Sequence, residues 1–514
     1  MDGTETKAQR EWGFFDRPLF TGANARGLDR VGVVDIGSNS VRMVVFDGAA
    51  RSPAYFFNEK IMCALGDGLS ETGRLNPTGR TRAMRAIHRF QKLAHSMGAA
   101  PLTAVATAAV REATDGPEFC EEVRRETGLS IHVIDGREEA RLSAQGVLLG
   151  WPNAEGMICD IGGSSMELAE ISAGQVGARL TSALGPLKLK GMKGGKKAIK
   201  AHVREIIEGL AQELPPKGGR LFLVGGSWRA VARINMARTN YPLTVLHEYR
   251  MDRKSVLATS EWIKTQVPGE LRAQTGTSSN RMALVPDALI VLKELLRVYK
   301  PRDIAVSSYG IREGMLFEQM PPDLRERDPL LEAARFAESK DARIPGFGKQ
   351  LFQFIHPLFT GVHPDRLRLI KAACLMHDVT WRAHPDYRAE VCFDNATRAN
   401  LGGLRHRERV FLGLALLHRY KNSRDNSRHT EVFKLLDQKA LNDAEVLGKA
   451  LRFGAMFSVD RLNDIAHLKY HPRKKELKLF LTPAAEPLFG EVVEARLKAL
   501  GTALGAEVTV KRTG

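Results

Sequence analysis

Asp35-Ile36-Gly37-Ser38-Asn39-Ser40 and Asp160-Ile161-Gly162-Gly163-Ser164-Ser165 are the two stretches on which the reading of the fold turns. Each follows an apolar run, VGVV at 31–34 and GMIC at 156–159. Each precedes another, VRMVVF at 41–46 and MELAEI at 166–171. Apolar run, Gly-rich turn and apolar run predict two strands joined by a tight connection. The aspartates, at 35 and 160, stand 125 residues apart, and one register runs through both segments. Self-similarity at that spacing predicts a duplicated, domain-sized module rather than a solenoid.

The same loops carry the first chemical signal. Glycine lets a backbone approach an anion closely and permits positive φ. Successive N–H groups then form an anion-binding concavity. Gly37, Gly162 and Gly163 suit that role, and Ser38, Asn39, Ser40, Ser164 and Ser165 add side-chain donors. Asp35 and Asp160 end their strands. A carboxylate beside a phosphate is repelled unless a cation lies between them, so these residues point to phosphate together with Mg²⁺. Ordinary hairpin turns ending in Asp are the plainer alternative, and two turns in register weigh against it.

Phosphoryl transfer to water also needs a group that orients and deprotonates the water. Glu138, Glu139 and Glu167 are the candidates on position, and of the adjacent pair only one can face a cleft. Arg111, in ATAAVREA just past an apolar run, can grip phosphate oxygens with two parallel hydrogen bonds.

Outward from the loops the pattern is α/β. LTAVATAAV (102–110), IHVIDG (131–136), LFLVGGSWRAVARI (221–234) and RDIAVSSYGIREGML (302–316) each read as a strand feeding a turn and a helix. Residues 1–28 read as a flexible tail. MPPDLRERDP reads as a polar linker. Beyond it, LRLIKAACLMHDVTW (367–381) and RVFLGLALLHRYK (409–421) have helical spacing. HLKYHP and ELKLFLT predict a hairpin around Arg473-Lys474-Lys475, followed by a helix near 487–503 and a strand at 507–512.

DIGSNSVRMVVFD, ATAAVREAT, IDGREEARL, DIGGSSMEL, LVGGSWRAVA and SYGIREGML stand in the order found in the exopolyphosphatase and guanosine pentaphosphate phosphohydrolase family, so residues 30–318 resemble that family. The resemblance implies two ribonuclease-H-like domains of the actin, sugar kinase and heat-shock chaperone superfold, around a cleft. It also implies a mostly helical third domain, related to HD hydrolases, with a small α+β appendage. The expected boundaries are 29–140, 141–320, 321–462 and 463–514. Glu139 matches the family's catalytic base. Asn39, Gly162, Ser165 and Arg111 match phosphate-contacting positions, and Asp160 and Glu167 match acidic positions near the metal. Ser164 departs from the family's third loop glycine, which puts the geometry of the second loop in question. His377-Asp378 resembles the HD pair. A working HD centre also needs an upstream His, and His356 and His363 lie in the wrong stretch.

Composition bounds the partners. The chain has 514 residues, 43% of them hydrophobic, a net charge of +17 and five scattered cysteines without a C-x-x-C pair. Length alone predicts about three or four domains, and the cysteines argue against a disulfide framework. The charge favours an anionic partner. KLKGMKGGKKAIK (188–200) holds six lysines and reads as a mobile loop suited to a flexible polyanion. Few aromatics interleave the basic runs, which disfavours specific nucleic-acid binding. No apolar run is long enough for a membrane span, and MDGTETKAQREWGFF lacks the apolar core of a signal peptide, so a cytoplasmic location is expected. The expected activity is Mg²⁺-dependent removal of terminal phosphate from inorganic polyphosphate. Guanosine pentaphosphate hydrolysis, an ATP-dependent kinase and a non-catalytic sensor are the alternatives. The resemblance also implies a homodimer.

Overall fold

The structure, a computed structural model, describes residues 13–15, 17–20, 26–425 and 427–512. It separates into two compact units that divide between Arg327 and Asp328. Most of the stretch read as a tail lies outside the described residues. Phe15 and Leu19 do not: they are buried against Leu28, Val31 and Met315, so that part is packed rather than loose.

The first unit holds two sheets. The first sheet has the order β3-β2-β1-β4-β5. Its strands are β1 (Gly27–Ile36), β2 (Ser40–Ala49), β3 (Ser52–Met62), β4 (Thr103–Ala106) and β5 (Ile131–Val133). The second comprises β6 (Gly156–Ile161), β7 (Met166–Ser172), β8 (Gln175–Ser182), β9 (Arg220–Val224), β10 (Tyr249–Met251) and β11 (Ile304–Val306). Its order, β10-β11-β9-β6-β7-β8, repeats the first with one extra edge strand. β1 pairs with β2 antiparallel and with β4 parallel, and β6 does the same with β7 and β9. Asp35 pairs with Arg42 in the first hairpin, and Asp160 with Glu167 in the second. The turns match as well: Gly37 N donates to Ser40 O at 3.1 Å and Gly162 N to Ser165 O at 3.0 Å. The duplication seen in the sequence is therefore a duplication of strand order, register and turn. Val33, Val34 and Ile36 are fully buried, as expected of β-branched residues in a central strand covered on both faces.

Four helices each come directly after a strand of these sheets: α1 (Ala108–Glu112) after β4, α2 (Gly136–Gly150) after β5, α3 (Gly226–Arg238) after β9 and α4 (Ile311–Gln319) after β11. α2 and α4 join the two sheets. Ala140, Ala144, Val147 and Leu148 of α2 pack on Ile158, Ala169, Phe222 and Val224 of the second sheet. Leu142 faces the other way, and with Met315 and Leu316 of α4 it meets Val33, Val44, Phe46 and Val105 of the first. The two helices touch backbone to backbone. A methyl group on Gly314 would collide with the Leu142 carbonyl, and one on Gly146 with the Gly310 carbonyl.

The two units divide within MPPDLRERDP, as its reading as a linker expects, but the stretch is partly folded. Pro322–Glu326 is a short helix whose Leu324 is buried. The lysine-rich stretch is not a loop throughout, since it spans the helix Pro186–Lys190 and the start of the helix Gly195–Glu213. Gly194 and Gly195, both at positive φ, break the chain between them.

The second unit is mostly helical. Its principal helices here are α5 (His406–Tyr420), α6 (Gln438–Phe457) and α7 (Glu491–Leu504). β12 (Ala466–His471) and β13 (Glu476–Leu481) form the expected hairpin, and β14 (Glu507–Arg512) adds parallel to β13. Among the described residues no helix is long and apolar enough to cross a membrane. All five cysteines are free.

Gly314→Ala is expected to destabilise the first unit by about 3 kcal/mol, the upper end for overpacking, because the obstacle is backbone and cannot swing aside. Denaturant unfolding reads this as a lowered midpoint. An unchanged midpoint would mean that the α2–α4 crossing is not tight.

Candidate active site

The duplicated hairpins present their turns to one cleft of about 640 Å³. Asp35, Gly37, Ser38, Asn39 and Ser40 line one wall, and Asp160, Gly162, Gly163, Ser164 and Ser165 line the other, with Glu139 between them. Ser164 Oγ donates to Ser38 Oγ across the cleft at 3.1 Å, so the turns meet. Each turn is pinned from behind. Asn39 O accepts from Cys63 N and Ala64 N at 3.1 and 3.0 Å, and Gly163 O accepts from Leu187 N at 2.9 Å.

Ser164 causes no strain, because it is not among the residues at positive φ. Nor are Gly37, Gly162 and Gly163, so positive φ is not what these glycines provide. Space at Gly163 is tight: a Cβ there would stand 2.8 Å from Leu187 Cδ1, the movable end of a side chain. The residue that needs a left-handed backbone is Gly225, at φ +111 where β9 enters α3, packed against Ile161 O and Asp160 Oδ1.

Of the adjacent glutamates, Glu138 turns outward and pairs with Arg141. Glu139 turns inward and is 5% exposed. α2 is started by Asp135, whose side chain accepts from Glu138 N, and this cap orients the first turn. Arg111 Nη1 stands 3.5 Å from Glu139 Oε2 and donates to Ile134 O at 2.7 Å. Glu139 Oε2 itself accepts no hydrogen bond. Burial, then Asp160 and Asp35, raise the Glu139 carboxyl to about 8, against the opposing pull of Arg111. Burial also raises Asp160, although Ser143 Oγ donates to its Oδ2. Glu167 is raised by burial and by Glu139 and Asp160. It lies behind the wall with no exposure, its Oε1 accepting from Thr181 Oγ1 at 3.2 Å and its Oε2 left without a donor.

Among the described residues no three His, Cys, Asp or Glu side chains gather into a ready-made metal cage. A hard cation that keeps much of its water needs only one or two carboxylates. Asp160 and Asp35 at the cleft, with the orphaned oxygens of Glu139 and Glu167 nearby, are a donor set of that kind.

The opposite charge lies along the same cleft. Arg42, Lys60, Arg229, Arg233, Arg281 and Arg312 all line it. Burial and then Arg312 and Arg229 lower Arg42 to about 10. Burial with Arg312 and Arg281 does the same to Arg229, and burial with Arg281 and Arg42 lowers Lys60 to about 8. These cations suppress one another because too few anions stand among them. None of the six was among the site residues expected from the sequence. The available signals were an arginine just after each glycine turn, Arg229 in GGSWR and Arg312 in GIR, and Arg42 at the duplicate position of Glu167.

The lysine-rich stretch does not line the cleft, and its Lys188 is tied to Glu112 at 2.8 Å. In the second unit, Asp378 is held by Arg343 Nε and Nη2 at 2.8 and 2.6 Å, and His377 Nδ1 meets Cys374 O at 2.8 Å. Both Asp378 oxygens are thus engaged by a guanidinium, an arrangement for an internal ion pair rather than for a metal.

A family model described as the Ppx/GppA phosphatase family matches residues 44–323, more than half of the chain. The chain belongs to the Ppx/GppA phosphatase family. A second model, described as exopolyphosphatase, C-terminal, matches residues 339–510. Retrograde regulation protein 2 of Saccharomyces cerevisiae is 25% identical over 434 residues, 76% of this chain and 72% of the yeast protein. Exopolyphosphatase 1 of Mycobacterium tuberculosis is 34% identical over 143 residues, which cover 27% of this chain and 42% of the mycobacterial one. The crystal structure of an exopolyphosphatase from Cytophaga hutchinsonii matches with a TM-score of 0.51 at 21% identity, over 56% of this chain and 97% of that one. That likeness speaks for the fold. The two ribonuclease-H-like sheets of the first unit are the family's actin-like architecture.

The raised Glu139 carboxyl has a consequence for stability in metal-free buffer. An ordinary glutamate ionises near 4.5, and this one at about 8. Between those values the native chain holds a proton that the unfolded chain has lost, so this group makes stability fall as pH rises. Glu139→Gln is therefore expected to exceed the wild type in stability at high pH by on the order of 1–3 kcal/mol. Towards the ordinary glutamate range the difference should vanish. Thermal unfolding across pH measures it, and a variant no more stable than wild type at any pH would contradict the burial argument.

Proposed function

We propose that this member of the Ppx/GppA family hydrolyses the terminal phosphoanhydride bond of inorganic polyphosphate. The observation that carries the proposal is the row of cations along the cleft, Arg42, Lys60, Arg229, Arg233 and Arg281, beyond the two turns, in which burial and neighbouring positive charge lower Arg42, Lys60 and Arg229. One terminal phosphate does not need so many. A chain of phosphates carries charge at every unit and relieves the repulsion along the whole row.

The turn amides and the hydroxyls of Ser38, Ser164 and Ser165 would cradle the terminal phosphate. Glu139 would take a proton from the attacking water, and its raised carboxyl suits a base working near neutral pH. Arg111, 3.5 Å from Glu139, would stabilise the charge that builds on the equatorial oxygens. Water oxygen bonds to phosphorus as the bridging P–O bond breaks, and the shortened chain leaves with the bridging oxygen. Asp35 and Asp160, backed by Glu167, would hold Mg²⁺, which when bound supplies positive charge against the phosphate oxygens.

Guanosine pentaphosphate is the second substrate to consider. Among the described residues of the cleft, Tyr55 is the sole aromatic, and its hydroxyl is committed to Glu313 Oε1 at 2.9 Å. A guanine ring therefore finds at most one aromatic face to stack on, which supports the inorganic chain. A non-catalytic sensor is favoured by the regulatory name of the yeast relative. The presence of Glu139, Arg111 and both turns supports hydrolysis instead.

Purified protein with Mg²⁺ is expected to release phosphate from long-chain polyphosphate faster than from guanosine pentaphosphate. Glu139→Gln is expected to lower turnover by roughly 10²–10⁴-fold with polyphosphate binding retained. Binding without phosphate release from either substrate would overturn hydrolysis in favour of a sensor.

A further inference from the structure

Ser143 is fully buried on α2, four residues after Glu139 and on the same face of the helix. A serine inside a helix usually turns its hydroxyl out to solvent or back on the carbonyl one turn earlier. Ser143 instead reaches the end of β6, where its Oγ donates to Asp160 Oδ2. Alanine forms helix more readily and would need no partner there, so α2 itself does not call for a hydroxyl at this position.

Asp160 is confined from its other side as well. Gly225 leads β9 into α3 at φ +111, and a Cβ there would stand 3.0 Å from Asp160 Oδ1. β9 runs parallel to β6 with Val224 opposite Asp160, so the register itself brings Gly225 to the carboxylate. One oxygen of Asp160 thus meets a hydroxyl from α2, and the other lies against the start of α3.

The two aspartates of the duplicated hairpins are held by different chemistry. α2 follows the first sheet and reaches Asp160 of the second, whereas α4 follows the second sheet and reaches Asp35 of the first. The contact from α4 is Arg312 Nε, 3.8 Å from Asp35 Oδ2, and it brings a full positive charge. Ser143 gives Asp160 a hydrogen bond without a charge, so the carboxylate keeps its attraction for a cation. Groups that hydrogen-bond a metal-binding carboxylate set its orientation, and losing them weakens metal binding.

We propose that Ser143 is a positioning residue, whose hydroxyl fixes the orientation in which Asp160 receives a divalent cation. The inference rests on the reading of the cleft as a site for phosphate with a cation, and not on which phosphate compound is cleaved. Mn²⁺ suits the same carboxylate and water ligands as Mg²⁺, and its electron paramagnetic resonance signal reports binding to the full chain without turnover. Ser143→Ala is expected to weaken Mn²⁺ binding by roughly 10–100-fold. The Mg²⁺ concentration for half-maximal phosphate release should rise by a similar factor. A hydrogen bond that served only the fold would shift the unfolding midpoint and leave the Mn²⁺ affinity alone. Ser143→Cys keeps a weaker donor in nearly the same space and should lose less affinity than Ser143→Ala. Mn²⁺ affinity equal to wild type in Ser143→Ala, or in Ser143→Cys if the alanine variant does not fold, would overturn the proposal. A wild type that binds no Mn²⁺ would overturn it too. If the wild type binds Mn²⁺ more tightly than Ser143→Ala but releases no phosphate, the role of Ser143 stands and hydrolysis alone fails.

Discussion

The backbone contact between α2 and α4 is the constraint on which the first unit depends. With Gly314 against the Leu142 carbonyl and Gly146 against that of Gly310, the helices approach as closely as backbones can. α2 and α4 each carry apolar side chains to both sheets, so their separation sets the separation of the sheets. The sheets in turn set where the two turns end. Ser38 and Ser164 can hydrogen-bond only because the duplicated halves are held at one distance. Glu139 sits in the first turn of α2, so the same helix that spaces the sheets delivers the carboxylate between them.

Charge is sorted within the cleft and not balanced. Carboxylates gather at the ends of β1 and β6, on β7 and at the start of α2, and burial raises Asp160, Glu167 and Glu139 among them. Arginines and Lys60 gather along the remaining wall, where burial and neighbouring positive charge lower Arg42, Arg229 and Lys60. Each group would gain from pairing with the other, yet few pairs form: Arg111 reaches Glu139 at 3.5 Å and Arg312 reaches Asp35 at 3.8 Å. Packing keeps the two sets apart and leaves both able to interact with a polyanion and its counterion.

Much of the fold could be read from the chain because its signals are local. The two D-I-G turns, the strand-turn-helix segments and the terminal hairpin depend on alternation, glycine placement and apolar runs, which sequence displays directly. The readings that failed concern the same property from the opposite side. KLKGMKGGKKAIK looks polar and loose, but Leu189 anchors a short helix in it; Leu324 does the same in MPPDLRERDP, the linker within which the units divide. One buried leucine in a charged stretch carries no period, so nothing local announces it.

For the site, the chain by itself determined the residue types at the turns, the doubled Asp-Ile-Gly-x-x-Ser pattern and three candidate glutamates, Glu138, Glu139 and Glu167. Tertiary structure decided which of them faces the cleft: Glu139 is buried there and Glu138 is paired outward with Arg141. It also decided that Glu167 stands behind the wall, that Gly225 rather than a turn glycine needs the left-handed backbone, and that arginines from strands and helices far apart in sequence share one cleft. The physical reason is the range of the interactions. Turn formation and strand pattern are settled within a few residues, whereas burial and Coulomb coupling between charges exist only once distant segments have been packed together.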